Sequence, residues 1–222
     1  MHDYGIICEK YGINFMISKN FIRQQNINKM KKYTKIFAPS RHYKLISTLY
    51  KLINLKKPKN ILLFMPLPYE PNVYRLRRKL ANKHSIFVPF MVGLSLKMVK
   101  LRQPFNIKKF NVKEPVNQQF ANFKIDMAIV PVVGVDKDMA RIGHAKGYYD
   151  RFFSSLPYRV SDVVFVQILD MFIDFKISQP HDLVGDYYLT TKKNYVKRGK
   201  NDRDFSRIRS RCGGHWCRVC SS

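Results

Sequence analysis

The stretch IDMAIVPVVGVDKDMARIGHAKGYYDRFF, Ile125 to Phe153, decides how this chain reads. Ile125 to Val135 is almost wholly apolar and rich in valine and isoleucine. That pattern predicts a central strand covered on both faces. A loop from Asp136 to Lys146 follows, and a helix is predicted over GYYDRFFSSL, from Gly147. In open α/β sheets the ligand sits at this end of the strands, where strand gives way to loop and helix. Gly143 and Gly147 allow positive φ and close approach of a ligand to the backbone. Amides at the start of the helix favour an anion. Arg141 supplies a planar fork for phosphate oxygens and Lys146 a point charge. Tyr148 and Tyr149 offer flat rings, and Asp150 is a hard oxygen donor suited to magnesium. On spacing alone the turn reads equally as a solvated basic loop, because it is neither a Walker loop nor a dinucleotide fingerprint.

Strands and helices alternate outward from this core. Helices are predicted over residues 18–33, 40–55 and 71–82. Ser18 and Ser40 stand as caps, Leu45, Ile46, Leu49, Leu52 and Ile53 form an apolar stripe, and Pro71 suits a first turn. Strands are predicted at Ile61–Met65, at SIFVPF (85–90), at LKMVKL (96–101, an edge), at DVVFVQIL (162–169) and at DYYLTT (186–191). Residues 102–124 read as a loop. The order implies an α/β protein: a three-layer α/β/α sandwich whose mostly parallel, Rossmann-like sheet carries helices on both faces. Three parts are expected: a poorly ordered extension at 1–17, one α/β domain at 18–192, and a basic, cysteine-containing, disordered tail at 193–222.

The formal charge of +26, from 41 Lys and Arg against 15 Asp and Glu, suits a polyanionic partner. Lys, Asn, Ile, Tyr and Phe are all abundant, however, as A/T-rich codons dictate, so charge alone assigns no site. No apolar run reaches membrane-spanning length, and the start lacks the pattern of a secretory leader. Cys8, Cys212, Cys217 and Cys220 leave the body of the chain without cysteine, which suits a reducing cytoplasm rather than a disulfide framework. Cys212, His215, Cys217 and Cys220 are zinc-type donors, but too crowded for one tetrahedron.

Residue order adds what spacing cannot. The run D-x-x-x-x-R-I-G-H-A-K-G-Y-Y-D-R-F-F, from Asp136, resembles the signature of the 5-formyltetrahydrofolate cyclo-ligases, also called methenyltetrahydrofolate synthetases. Lys19 and Arg23 resemble the family's early K-x-x-x-R pair. FMPLPYEPN, with Glu70, resembles its E-x-D/N-T segment, and Glu114–Pro115 its Glu-Pro step. His181–Asp182 and Asp186 resemble its late H-D-x-x-x-D segment. The resemblance spans residues 18–192.

It implies an enzyme that uses ATP and Mg²⁺ to convert 5-formyltetrahydrofolate to 5,10-methenyltetrahydrofolate; a cytoplasmic monomer is expected. Lys19, Arg23 and Arg141 would then contact the ATP phosphates, wrapped by Gly143, His144, Ala145, Lys146, Gly147, Tyr148 and Tyr149. Asp150 and Asp182 would hold magnesium, and Glu70, Lys146 and Tyr148 would face the folate. The sequence departs from the family pattern at Ala145, where a glycine is usual, at Met139, and at Val73 in place of threonine. An alanine held at positive φ costs about 1 kcal/mol. The competing readings are a nucleotide-binding relative with weak turnover and a basic nucleic-acid-binding protein using the tail.

Overall fold

A computed structural model of the chain describes residues 6–7, 16–36, 40–93, 95–101, 105–107, 113–115, 123–199 and 204–220. Among the described residues three antiparallel pairs lie outside the main sheet: β1 (Ile6–Ile7) with β2 (Met16–Ile17), β6 (Phe105–Ile107) with β7 (Lys113–Pro115), and β9 (Gly134–Val135) with β10 (Arg141–Ile142). The second lies in the segment read as loop. The rest of the predicted extension at 1–17 falls outside the described residues.

Helices α1 (Lys19–Ile36) and α2 (Ser40–Lys56) match the predicted spans closely. Strand β3 (Asn60–Leu62) is shorter than its apolar run, although Leu63 still donates to Phe87 O at 2.8 Å and Leu63 to Met65 stay buried. Pro66 and Pro68 just beyond have no N–H to extend the ladder. The predicted helix at 71–82 is instead a 3₁₀ turn (Val73–Leu76) followed by one α-turn, α3 (Arg77–Leu80). Then come β4 (Ser85–Val92), β5 (Ser95–Lys100), β8 (Met127–Pro131), β9 (Gly134–Val135), β10 (Arg141–Ile142), α4 (Tyr148–Ser154), β11 (Asp162–Val166) and β12 (Tyr187–Leu189).

The chain continues past the predicted domain end at 192. β13 (Asn194–Lys197), α5 (Phe205–Cys212) and β14 (Trp216–Val219) extend the sheet, so the expectation of a disordered tail fails for 194–199 and 204–220. Ile208 and Cys212, one helical turn apart, are buried against α2 with Trp216 beside them. Arg207, Arg209 and Arg211 face solvent.

Among the described residues the main sheet has eight strands in the order β14-β13-β12-β11-β8-β3-β4-β5. β12, β11, β8, β3 and β4 run parallel to one another; β5 runs antiparallel to β4, and β13 and β14, parallel to each other, run antiparallel to β12. Alternate residues serve opposite layers, as the pleat demands. Met127 and Ile129 pack into the layer of α2 and α5, while Ala128 and Val130 pack into that of α4. Both faces are therefore covered, and the three-layer architecture is as expected.

After β3 the chain builds β4 and β5 on one side, then crosses back to place β8 on the other. The order reverses between β3 and β8. A crevice at the carboxyl ends of these two strands is the place where such a sheet binds its ligand. Helix α1 lies across that end. Met30 packs with Val133, Ile142, Met171 and Ile177, and Asn26 Nδ2 donates to Val133 O at 3.1 Å.

Candidate functional site

The loop after β8 is held from beneath by a buried carboxylate. Asp136, fully buried, accepts backbone N–H bonds at 2.9 to 3.1 Å from Asp138, Ala140, Ile177 and Ser178. Four N–H donors compensate a charge that would otherwise be costly to bury. They also tie the turn at 136–140 to the late segment of the chain. Arg141 N donates to Leu183 O at 2.8 Å, and Leu183 N donates to Asp150 Oδ1 at 3.0 Å, so that segment runs alongside the loop.

Arg141 is 5% exposed. Its Nε donates to Pro131 O at 3.1 Å, its Nη1 lies 3.3 Å from Asp150 Oδ2, and its guanidinium stands 4.9 Å from the centre of the Tyr149 ring. These bonds use two of its five donors. The guanidinium also passes against Gly143, where an added Cβ would sit 2.3 Å from Nη1. Gly143 is thus needed for space, not for positive φ. Positive φ occurs at Gly147 (60°), and also at Ala145 (74°) and Met139 (61°), the two departures from the glycine pattern. The loop keeps its left-handed turns without the glycines.

Helix α1 reaches the same loop. Ser18 Oγ accepts from Phe21 N at 3.1 Å and caps its first turn. Lys19 and Arg23, one turn apart, share a face. Lys19 Nζ donates to Asp182 Oδ2 at 2.5 Å, and Arg23 Nε donates to Gly143 O at 2.8 Å. Asp182 also accepts from Gln179 N at 2.7 Å.

The loop after β3 brings Tyr69 and Glu70 to the crevice. Glu70 is 4% exposed, and its Oε2 accepts from Leu67 N at 2.9 Å. Burial pushes its carboxyl up to about 7, against the Leu67 bond and the Arg141 charge. His144 Nε2 lies 4.0 Å from Glu70 Oε1 and 3.2 Å from the Tyr69 hydroxyl. Burial, and then Arg141, Arg23 and Lys31, hold His144 down to about 4. The 4.0 Å approach is therefore no ion pair at neutral pH: burial favours the neutral form of both groups.

The structure thus joins Lys19, Arg23, Glu70, Arg141, Gly143, His144, Asp150 and Asp182 through contacts into one cluster. Ala145 and Lys146 are exposed on the loop, and Tyr148 lies beside Arg151, its ring 5.4 Å from that guanidinium. Tyr149 differs from expectation. Its ring packs on both core layers beneath Arg141 and is not an open stacking platform. His181 is exposed, and Asp186 is structural, accepting from Val163 N at 2.8 Å. Glu114 falls where no side chain is described.

Asp150 and Asp182, linked through Leu183, are oxygen donors of the kind magnesium takes. Magnesium completes its shell from water and phosphate rather than from an all-protein cage. Among the described residues no group of three or more His, Cys, Asp or Glu gathers as a metal site, and no helix is long and apolar enough to cross a membrane.

A sequence model of the 5-formyltetrahydrofolate cyclo-ligase family matches residues 16–173. The chain belongs to this family. A probable 5-formyltetrahydrofolate cyclo-ligase of Schizosaccharomyces pombe is 25% identical over 148 residues, 62% of this chain and 72% of that protein. A cyclo-ligase of Mycolicibacterium smegmatis is 32% identical over 71 residues, 32% of this chain and 36% of its own length. Two solved structures share the cyclo-ligase fold. The 5,10-methenyltetrahydrofolate synthetase of Aquifex aeolicus aligns at a TM-score of 0.66 and 23% identity, covering 79% of this chain and 91% of that one. The Mycoplasma pneumoniae synthetase aligns at 0.56 and 22%, covering 77% and 96%.

Proposed function

We propose that the protein converts 5-formyltetrahydrofolate to 5,10-methenyltetrahydrofolate with hydrolysis of ATP to ADP and phosphate. The observation that carries this reading is the meeting of two unlike half-sites at the strand-order reversal. Cations and glycine loop lie on the β8 side (Lys19, Arg23, Arg141, Gly143–Gly147). A buried acid lies on the β3 side (Glu70).

The formyl oxygen attacks the γ-phosphorus of ATP. A P–O bond forms, the β–γ bridge breaks and ADP leaves. The folate N10 then attacks the activated carbon, gives up its proton, and phosphate departs with the former formyl oxygen. An amide oxygen leaves poorly until it carries a phosphoryl group. Catalysis is therefore chiefly alignment and charge neutralisation.

Lys19, Arg23 and Arg141 contact the phosphates in this reading, and the loop from Gly143 to Gly147 folds over them. Arg141 reaches them with the donors not given to Pro131 and Asp150. Asp150 and Asp182 would hold magnesium, which would supply neutralisation of phosphate charge. Lys146 and Tyr148 border the folate. Glu70 faces it, and a carboxyl near 7 is matched to taking the N10 proton at Oε1 at neutral pH.

The test is turnover. Purified protein with ATP, Mg²⁺ and 5-formyltetrahydrofolate is expected to form the methenyl product, followed by near-UV absorbance, and to form none without ATP. No product from folded protein at generous concentration would overturn the proposal.

A further inference from the structure

The phosphate loop and the loop after β3 come from the two sides of the strand-order reversal, yet a hydrogen bond joins them. His144 Nε2 and the Tyr69 hydroxyl are 3.2 Å apart, with ring centroids 5.9 Å apart and planes tilted by 45°. Tyr69 directly precedes Glu70, whose carboxylate is fixed by Leu67 N within the same short loop. On the other side, Arg23 Nε donates to Gly143 O and the Arg141 guanidinium lies against Gly143, the residue before His144.

The sense of the bond follows from its surroundings. Burial, and then Arg141, Arg23 and Lys31, keep the imidazole neutral, while burial and Glu70 keep the Tyr69 proton on its oxygen. The hydroxyl donates, and Nε2, with the imidazole proton on Nδ1, accepts.

We infer that the Tyr69–His144 hydrogen bond couples the two substrate subsites, so that nucleotide bound under the loop at 143–147 fixes the loop holding Glu70 and tightens binding of the folate. This rests on the proposed function. Tyr69 and His144 act here as positioning residues, through the loops they join. Linkage makes the effect reciprocal: the folate tightens the nucleotide by the same factor. One neutral hydrogen bond supports a factor of roughly 3 to 10.

Calorimetric titration of the full chain tests this. The probes are 5-formyltetrahydrofolate and a non-hydrolysable ATP analogue with Mg²⁺, each titrated alone and with the other saturating. In the wild type each is expected to tighten the other roughly 3- to 10-fold. Tyr69→Phe removes only the donor, and His144→Leu only the acceptor. Each is expected to bring the factor to about one, with no further loss when combined. His144→Gln places an amide oxygen where Nε2 stands and is expected to restore most of it, which a merely structural role would not predict. Wild-type protein that binds both probes without coupling, or variants that keep the full factor, overturn the inference and leave the proposed function standing. Wild-type protein that binds neither probe overturns the proposed function, and the coupling with it.

Discussion

Lys19 Nζ meets Asp182 Oδ2 at 2.5 Å, although 163 residues separate them in the chain. The pair ties the start of α1 to the segment that borders the phosphate loop. Both side chains are largely buried, at 15% and 7% exposure, so the contact lies between a surface pair and a buried one. Removing one partner is expected to cost about 1–3 kcal/mol. Lys19→Met should lower stability by that amount in urea unfolding and raise the KM for ATP by about tenfold or more, the effect of losing a charge-assisted phosphate contact. A variant with an unchanged ATP dependence removes Lys19 from the nucleotide site, whatever its stability.

Gly143 and Arg141 make a second pair that cannot be altered singly. A methyl group at Gly143 would stand 2.3 Å from Arg141 Nη1 and 2.6 Å from the guanidinium carbon. Either the guanidinium leaves its bonds to Pro131 and Asp150, or the loop shifts. Gly143→Ala is therefore expected to lower kcat/KM by about 100-fold, since small displacements of positioning groups have effects of that size. Arg141→Ala should be no milder, and the double variant no worse than the single ones. Additive losses in steady-state kinetics would show that the two act separately.

The fold was legible because its signals are local. Alternation of apolar runs with amphipathic helices declares a parallel sheet, and Ile125–Val135 declares its centre. The candidate site was legible where residue order carried it, at Lys19, Arg23, Glu70, Arg141 and Asp150. Three features were hidden. α5 was masked because arginines fill the positions between Phe205, Ile208 and Cys212, although that three- and four-residue spacing, closed by Gly213 and Gly214, is a helix signal. The Tyr69–His144 contact joins residues 75 apart that no pattern links. Asp136 reads as a loop acid, because the four backbone donors that bury it exist only once the chain has folded.

Ala145 and Met139 both hold positive φ, but they should respond oppositely to glycine. Ala145 is exposed, so Ala145→Gly relieves strain of about 1 kcal/mol with no loss of packing. Met139 is fully buried in the layer under α4, and losing a buried methionine side chain costs about 1.5–3 kcal/mol, more than the strain relieved. Urea unfolding should show Ala145→Gly stabilised and Met139→Gly destabilised. If Ala145→Gly is instead destabilised, the loop does not hold alanine in the left-handed region.

Glu70 and His144 load the pH dependence of stability with opposite signs. Burial raises Glu70 from its ordinary 4.5 to about 7. Between those values the unfolded chain has released a proton that the folded chain keeps, so stability falls with rising pH, by about 3 kcal/mol across the window. Burial and neighbouring cations lower His144 from 6.5 to about 4. There the unfolded chain binds a proton that the folded chain refuses, so stability rises with pH by a similar amount. The two slopes nearly cancel between pH 4.5 and 6.5. Relative to wild type, Glu70→Gln should steepen the gain in stability from pH 4 to 6.5, and His144→Gln should steepen its loss from pH 4.5 to 7. Urea midpoints measured across pH check both; slopes that match wild type would place these groups in ordinary surroundings.

The segment at 204–220 completes the sheet, and its removal should be felt throughout the domain. Ending the chain at Gly199 strips β14 from β13 and takes Ile208, Cys212 and Trp216 off α2. It also removes the Lys56–Asp204 ion pair at 2.9 Å. Burying a large apolar side chain such as Ile208 contributes about 1.5–3 kcal/mol, so losing it together with Trp216, Cys212 and the β14 ladder takes a large share of the net stability of a typical domain, about 5–15 kcal/mol. The truncated chain should also aggregate, because β13 becomes an open edge. Ile208→Ala isolates the packing without cutting the chain. Its side chain is fully buried, so a loss of about 2–5 kcal/mol is expected in urea unfolding. A loss below about 0.5 kcal/mol, the size of a surface substitution, together with a truncated chain that melts like the whole one, would make the segment an appendage to a domain that ends before it.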